Sequence, residues 1–489
     1  MKTPLLGNRT FYDGVLRIGL PVALQNLLIS SAGIVDTLMI STQGETAVAA
    51  VGLCAQFMSL LFSAYFGFCH GGVIFVAQYW GANNKQGICR TYGLMISCMM
   101  FFGLLFGALA VLAPQAIMQV YTDKAPIQQA GALYLSIVGF NYPLQVLAYG
   151  MSALLRATER VRIPLYASIA ALLTNTALNW VLIYGQLGFP ALGIAGAAIA
   201  TLISGVVNLG FIVVACLWDR NPYLFRFSEH FRWSKAFLKQ FFAKSSFIVG
   251  NEAAMGVGNM ILNAIIGRQP AAALAALAVF RVVEGLVFAF FRGFTSAAAV
   301  MVGKQVGSGN HLQGYTDAKR FVLLCPAVTL LVCLLIQPFR AGLLGLFSLS
   351  GEALYYGMNI LAIYTVFATL RSCNWISNDC FRAGGDSSFG TILEIVCLYC
   401  FTLPALGLGA ALHLPFLAMY CLMYLDDVVR SGLVLWRVNS GRWLKPVTDE
   451  GRAALPDFRA LLVSHGHRLG RRDEKLYVQG TPSSDKKAS

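Results

Sequence analysis

The chain has 489 residues, of which 57% are hydrophobic and only 12% are Asp, Glu, Lys or Arg. A soluble domain carries about 25% charged residues; a water-facing surface cannot be built from this sequence, which excludes soluble enzymes, nucleic-acid binders and secreted domains. The formal charge of +14 does not point to nucleic acid either, because eleven of the 36 Lys and Arg lie from Arg437 onward and most others sit in short loops between apolar runs. At roughly 20 residues per spanning helix, twelve spans fit easily, and the composition is that of a polytopic membrane protein.

Residues 1–13 are polar and short, without a cleavable leader, so insertion is expected to rest on the first span. Apolar runs follow at 14–40, 47–78, 91–113, 128–153, 163–184 and 190–217, forming a first lobe over 14–217. A polar linker, 218–244, separates it from a second lobe, 245–436, with runs at 245–267, 271–301, 321–347, 354–380, 388–408 and 412–436. From 437 to 489 a cytoplasmic, flexible tail is expected, since apolar periodicity fades and the chain ends in a Ser- and Lys-rich stretch. The twelve Cys are scattered through apolar runs and read as small apolar side chains.

Even-numbered connections hold fourteen Lys and Arg, among them Lys85, Arg160 and Lys304, whereas odd-numbered ones hold only Lys124, Arg268 and Arg340. That bias places the even loops and both termini in the cytoplasm. The halves also repeat at a constant spacing of 226: Ala49-Ala50 recurs as Ala275-Ala276, Gly81 with Asn84 as Gly307 with Asn310, and Arg156-Ala157 as Arg382-Ala383. Six spans per repeat is an even number, so both halves enter the membrane the same way, and a parallel repeat with the substrate path between its halves is expected.

Asp36 lies inside an apolar run, where a carboxylate costs several kcal/mol unless it is protonated, paired or bound to a cation. Such a group can couple a gradient to lobe motion; the alternative is a structural hydrogen bond to a neighbouring helix. Asn175 and Asn179 are four apart and share one helical face, which suits either a functional pair or a join between helices. Tyr134 can serve the same cluster or a packed core.

In the second lobe the constant spacing aligns Asp36 with Leu262, so the carboxylate is missing there. Arg281 and Glu284, three apart, are expected to neutralise each other. Glu394 and Asp379 are candidates to line a cleft, while Asp426-Asp427 is expected to face water or the basic loops. Arg156 and Arg382 end their spans and read as helix-capping or topology-fixing residues.

Several segments resemble the MATE (multidrug and toxic compound extrusion) transporters: Gly33-Ile-Val-Asp36, Val76-Ala-Gln78-Tyr-Trp-Gly81, Leu155-Arg156-Ala-Thr, Asn175-Thr-Ala-Leu-Asn179, Gly193-Ile-Ala-Gly and Phe381-Arg382-Ala-Gly-Gly-Asp386. They fall in the family's order across residues 10–440. The resemblance implies an all-α fold of twelve spans in two lobes, V-shaped around a central cleft, that exports cationic amphipathic compounds in exchange for protons or sodium. It also implies a cation-coupling cluster of Asp36, Asn175, Asn179 and Thr201, with Tyr134 beside it. Those oxygens can hold Na+, though a single carboxylate suits a proton equally well, and the proton is the favoured reading. Glu252 resembles a carboxylate that one branch of the family uses for coupling. In that branch a second acid stands where this chain has Arg371, and an arginine repels sodium, so a Glu252–Arg371 ion pair is expected instead.

No GxxxxGK[ST] loop for a primary pump occurs, and the six His form no HExxH arrangement. An antiporter is therefore expected, not an enzyme, with a flippase for a lipid-linked or peptide substrate as the alternative on the same fold and a membrane enzyme as a weaker one. No cofactor is expected beyond the coupling ion. The expected partners are small cationic substrates and the bilayer of the cell (plasma or inner) membrane, with the protein acting as a monomer.

Overall fold

The computed structural model describes residues 7–464 apart from 346, 348 and 350, and the described residues form helices without a strand. The first lobe comprises α1 (Arg9–Ser41), α2 (Glu45–Gly81), α3 (Lys85–Leu112), the short α4 (Pro114–Tyr121), α5 (Ala125–Val138), α6 (Asn141–Ala157), α7 (Arg162–Tyr184) and α8 (Gly193–Trp218). One turn, α9 (Phe227–His230), lies between the lobes. The second lobe runs through α10 (Lys235–Ile266), α11 (Ala271–Gly307), α12 (His311–Ile336), α13 (Arg340–Gly345), α14 (Gly351–Ala383), α15 (Ser387–Cys397), α16 (Leu403–Ala411), α17 (Phe416–Leu422) and α18 (Leu425–Ser440), followed by α19 (Asp449–Ser464).

Among the described residues nine helical segments are long and apolar enough to cross a membrane, and a tenth span is the α5–α6 pair, bent by 51°. Counting α10 and the α17–α18 pair gives twelve spans in two lobes of six. Those last two are less apolar for a reason that bears on function: α10 carries Asn251 and Glu252, and α18 carries Asp426, Asp427 and Arg430, all of which line an internal cavity.

The 226-residue spacing is a structural repeat. Asn84 caps α3 by accepting from the Gly87 amide at 2.8 Å, and Asn310 caps α12 by accepting from Gln313 at 3.3 Å. Where α2 crosses α11, a Cβ on Gly81 would collide with the carbonyl oxygen of Lys304, and a Cβ on Gly307 with that of Gln78. The two crossings are images of each other, since Gln78 and Lys304 are also 226 apart. Close backbone approach through small residues is how helices associate where lipid offers no hydrophobic drive. Further along the same helices Gly52 and Gly285 would have nothing within 4 Å of a Cβ, so the crossings of α2 with α11 at Gly81 and Gly307 lie at one end of the two helices.

At that seam end, Gln78 donates to the Ala383 carbonyl and accepts from the Val447 amide, both at 2.7 Å, and Lys304 pairs with Glu159 across the lobes at 2.6 Å. A core of Phe11, Ile18, Val302, Val306 and Phe321 fills the space behind.

The linker expected over 218–244 ends earlier, because Lys235–Lys244 already form the first turns of α10. The tail expected to be flexible from 437 is ordered through Ser464. Trp443 and Leu444 are wholly buried, Thr448 donates to the Gly307 carbonyl at 2.7 Å, and α19 lays Phe458 against His311 and Tyr315. Gly441 and Pro446 interrupt any helical period here, so the stretch reads as loop although its apolar side chains complete the seam. Residues 465–489 of that tail, and 1–6 of the expected N-terminal segment, lie outside the described residues.

Asp386, in the turn before α15, is enclosed and pairs with Arg437 at 2.6 Å and Lys445 at 2.7 Å. Burial alone would push its carboxyl up, but the hydrogen bonds from Arg437 and Lys445 outweigh burial and hold it below the usual carboxylate range. A group depressed in the folded state contributes stability above its unfolded pKa and loses it as pH falls through the folded value.

Two outcomes follow for purified protein in detergent. Gly81→Ala should lose about 2 kcal/mol, the scale of overpacking into rigid backbone, seen as a lower unfolding midpoint, whereas Gly52→Ala should be neutral. Asp386→Asn should lower the midpoint at pH 7 by about 3 kcal/mol equivalent, and its deficit against the unmodified protein should shrink as the buffer is acidified toward pH about 3.

Candidate functional site

A cavity of about 1030 Å3 lies between the lobes and takes walls from both. On the first-lobe side, α1 carries Asp36 near its end, α7 presents Asn175 and Asn179 one turn apart, and α5 and α8 add Tyr134 and Thr201. Asp36 Oδ1 accepts from Asn179 Nδ2 at 2.5 Å, and the same amide group donates to Asn175 Oδ1 at 3.2 Å. Asn175 and Asn179 are 6% and 1% exposed, while Asp36 is half-buried at the cavity wall. Among the described residues no cation pairs with Asp36, and the Asn179 Oδ1 is buried without a donor. Tyr134 and Thr201 line the same wall, but the Thr201 hydroxyl donates to the Ala197 carbonyl at 2.9 Å and neither residue bonds to Asp36.

The second-lobe side is a connected ion network. Arg371, on α14, pairs with Glu284 at 3.0 Å and approaches Asp427 at 3.9 Å, with its guanidinium over the rings of Phe288 and Trp375. Arg430 bridges Asp427 at 2.7 Å and Glu394 at 3.0 Å. Asn374 donates to Asp427, and Asn251 to Glu394 at 3.2 Å. The expected Glu252–Arg371 pair does not form, because Arg371 faces Glu284 on the neighbouring α11, leaving Glu252 at the cavity wall without an ion-pair partner among the described residues. Arg281 does not neutralise Glu284 either; it donates to Asn263 at 2.7 Å. Asp426 and Asp427, expected to face water, are buried: Arg430 and Asn374 donate to Asp427, and the Thr402 hydroxyl donates to Asp426, supplying the partners that burial demands. Glu394 and Asp379 do line the cavity. So do Arg156 and Arg382, which end their helices as expected but also face the cavity interior.

Arg430, Asn251 and Asn374 are not singled out by the sequence, nor is Asp427 as a partner of Arg430. The signal existed for Asp427 and Arg430, opposite charges three apart inside a span, a spacing that places them on one face. Nothing in a linear pattern marks Asn251 or Asn374, whose role depends on which helix lies opposite. Among the described residues no group of three or more His, Cys, Asp or Glu is arranged to hold a metal ion.

The profile of the MatE family matches residues 21–181 and 248–405. The chain is 23% identical over 427 residues to the "Uncharacterized transporter YisQ" of Bacillus subtilis (strain 168), covering 87% of this chain and 93% of that protein. It is 24% identical over 439 residues to the "Probable multidrug resistance protein NorM" of Thermotoga maritima, with 88% and 93% covered. A crystal structure titled as MATE in complex with MaL6 matches with a TM-score of 0.79 at 19% identity, covering 90% of this chain and 98% of that one. A mutant of the Vibrio cholerae MATE transporter VcmN matches with a TM-score of 0.78 at 16% identity, covering 94% and 98%. At these identities the structures speak to the fold.

Because a buried charge stripped of its partner costs more than the intact pair contributes, Arg371→Met should lower the unfolding midpoint by about 2 kcal/mol equivalent. Pairing it with Glu284→Gln should recover part of that loss, giving a coupling of about 1 kcal/mol in a double-mutant cycle. Strict additivity would show that the pair contributes nothing.

Proposed function

We propose, since this chain belongs to the MatE family of multidrug and toxic compound transporters, that it is a secondary antiporter exporting cationic amphipathic compounds, with Asp36 as the coupling residue. The observation that carries this reading is the isolation of Asp36: a carboxylate at the cavity wall, held by one amide and, among the described residues, paired with no cation. Deprotonated, it accepts the Asn179 hydrogen bond. Protonated, it gains a donor, and the unpaired Asn179 Oδ1 is the acceptor that an amide rotation would offer it. One proton thus selects between two bonding patterns at the same pair. Asp36 and the Asn175, Asn179 and Thr201 oxygens suit Na+ as well, but one carboxylate that exchanges one proton needs fewer ligands in place, and we assign H+.

The same helix links this exchange to the lobes. At its far end α1 packs Gly19 against Gly293 of α11, and Pro21 interrupts its hydrogen-bond ladder between that contact and Asp36. Proline is where a helix bends most cheaply, so a change of fit at Asp36 can re-angle α1 against the second lobe. Loop charge assigns the seam end to the cytoplasm, hence an outward-directed cavity in this conformation, in a multi-pass protein of the cell membrane.

Ethidium transport into everted vesicles, under an imposed pH gradient or sodium gradient in separate arms, tests the reading. The pH gradient should drive uptake and sodium should not, without ATP and without chemical change to the dye. Asp36→Asn should abolish uptake while the protein reaches the membrane in normal amount. Wild-type uptake by that variant would remove the coupling role of Asp36.

A further inference from the structure

We propose that residues 443–464 form a strap, carried by the second lobe, that holds the seam end of the protein shut until Val447 leaves the first lobe. This rests on the reading of the protein as a transporter whose two lobes open alternately, and it names what biases the opening of the closed end.

Gly441, at φ +64, ends α18, and the chain leaving it is anchored step by step on the second lobe. The Trp443 ring lies against Gly384, where a Cβ would collide with it. The Lys445 amide donates to the Gly384 carbonyl at 2.7 Å, and its Nζ pairs with Asp386 at the same distance. Thr448 donates to the Gly307 carbonyl, and the Gly451 carbonyl meets His311 Nε2 at 2.7 Å. α19 then brings Leu462 back beside Gly441 and sets Ala454 beside Gly309, in the turn before α12. Trp443, Leu444, Phe458 and Leu462 all belong to the core that holds Val302 and Phe321.

Val447 reaches the other way. Its amide donates to Gln78 Oε1 at 2.7 Å, and its side chain, 3% exposed, joins the first-lobe core that holds Phe75 and Ile88. The bonds of Lys445 and Thr448 on either side of it fix the backbone, so the second lobe presents Val447 to the first as a rigid plug. Gln78 is wholly enclosed, and its amide spans the boundary: Nε2 bonds to Ala383 while Oε1 takes the strap. Separating the lobes at this end strips both partners from Gln78 and draws Val447 out of apolar surroundings. A buried amide without partners costs its full desolvation until water reaches it, and an exposed valine forfeits its burial. Packing on the second lobe alone would leave lobe separation unaffected. A residue buried in the opposite lobe interacts differently with the closed and open states, which is the condition for biasing an equilibrium between them.

Hydrogen–deuterium exchange of the full-length protein in detergent, read by mass spectrometry without substrate or gradient, tests the strap. Val447→Asp puts a charge into the first-lobe core. It should speed exchange over 74–84 and 300–310, the seam ends of α2 and α11, by about tenfold, within the usual range of conformational coupling. It should also slow exchange over 40–48 and 266–274, at the opposite ends of the lobes, where closing accompanies opening at the seam. Thr448→Val keeps the side-chain shape and removes the bond to Gly307; it should shift both regions in the same directions by a smaller factor, and it carries the test if Val447→Asp does not fold. Unchanged exchange in both regions overturns the strap. So does faster exchange at the seam without slowing at the opposite ends, which is local loosening. The antiport reading is judged separately, by uptake in Asp36→Asn: a failed exchange test leaves it standing, and retained uptake in that variant leaves the reciprocal exchange pattern, and with it the strap, intact.

Discussion

Two backbone crossings set what the rest of the molecule can do. At Gly81 and at Gly307 the polypeptides of α2 and α11 approach so closely that a methyl group would strike a carbonyl oxygen. The lobes are pinned at one end, by contacts that pay no side-chain entropy and that a bulkier residue would forbid. With the pin at one end, a cavity between the lobes follows from their divergence, and any motion that opens the pinned end must break the same set of contacts: the crossings, the Gln78 bridge and the Lys304–Glu159 pair. The 443–464 segment adds to that set from outside, since Val447 and Thr448 bond to Gln78 and Gly307 across the crossing.

The repeat preserves backbone contacts while exchanging their chemistry. Gln25 donates to Ser168 at 3.1 Å in the first lobe, and the residues 226 further on, Asn251 and Glu394, make the equivalent bond at 3.2 Å. One is a neutral amide–hydroxyl pair; the other anchors an ion network. Thr201 likewise corresponds to Asp427, and Gln145 to Arg371. Glu394, Asp427, Arg371 and Arg430 therefore occupy positions that are polar but uncharged in the first lobe, whereas Glu284 stands where the first lobe has Met58, and these charges have opposite partners in reach.

How much of this could be read beforehand depends on whether a feature is local or relational. Spans, the repeat and the shared face of Asn175 and Asn179 are properties of sequence spacing, and the hydrogen-bonded Asp36–Asn179–Asn175 chain has the geometry that spacing allows. The partner of Arg371 is relational. Glu252 and Glu284 are both acids in adjacent spans, and only the packing of α11 against α14 decides for Glu284. The burial of Trp443 and Leu444 is relational too: eight residues with a glycine and a proline carry no period, and their value lies in the surface that they cover.

This asymmetry bears on which lobe can switch. In the second lobe Arg430, a guanidinium that never gives up its charge, is shared between Glu394 and Asp427, and Arg371 is held by Glu284. Only the loss of both acids would leave the buried Arg430 unpaired, at a cost of several kcal/mol. Shared partners of this kind make that wall a fixed ion network. Asp36 has no such partner: its protonation strands no cation, and its neighbours are amides, which serve a donor or an acceptor equally well. A transporter needs a group whose charge can come and go without dismantling its surroundings. On the proposed reading Asp36 meets that condition in the first lobe, on the helix that also touches the second lobe through Gly19.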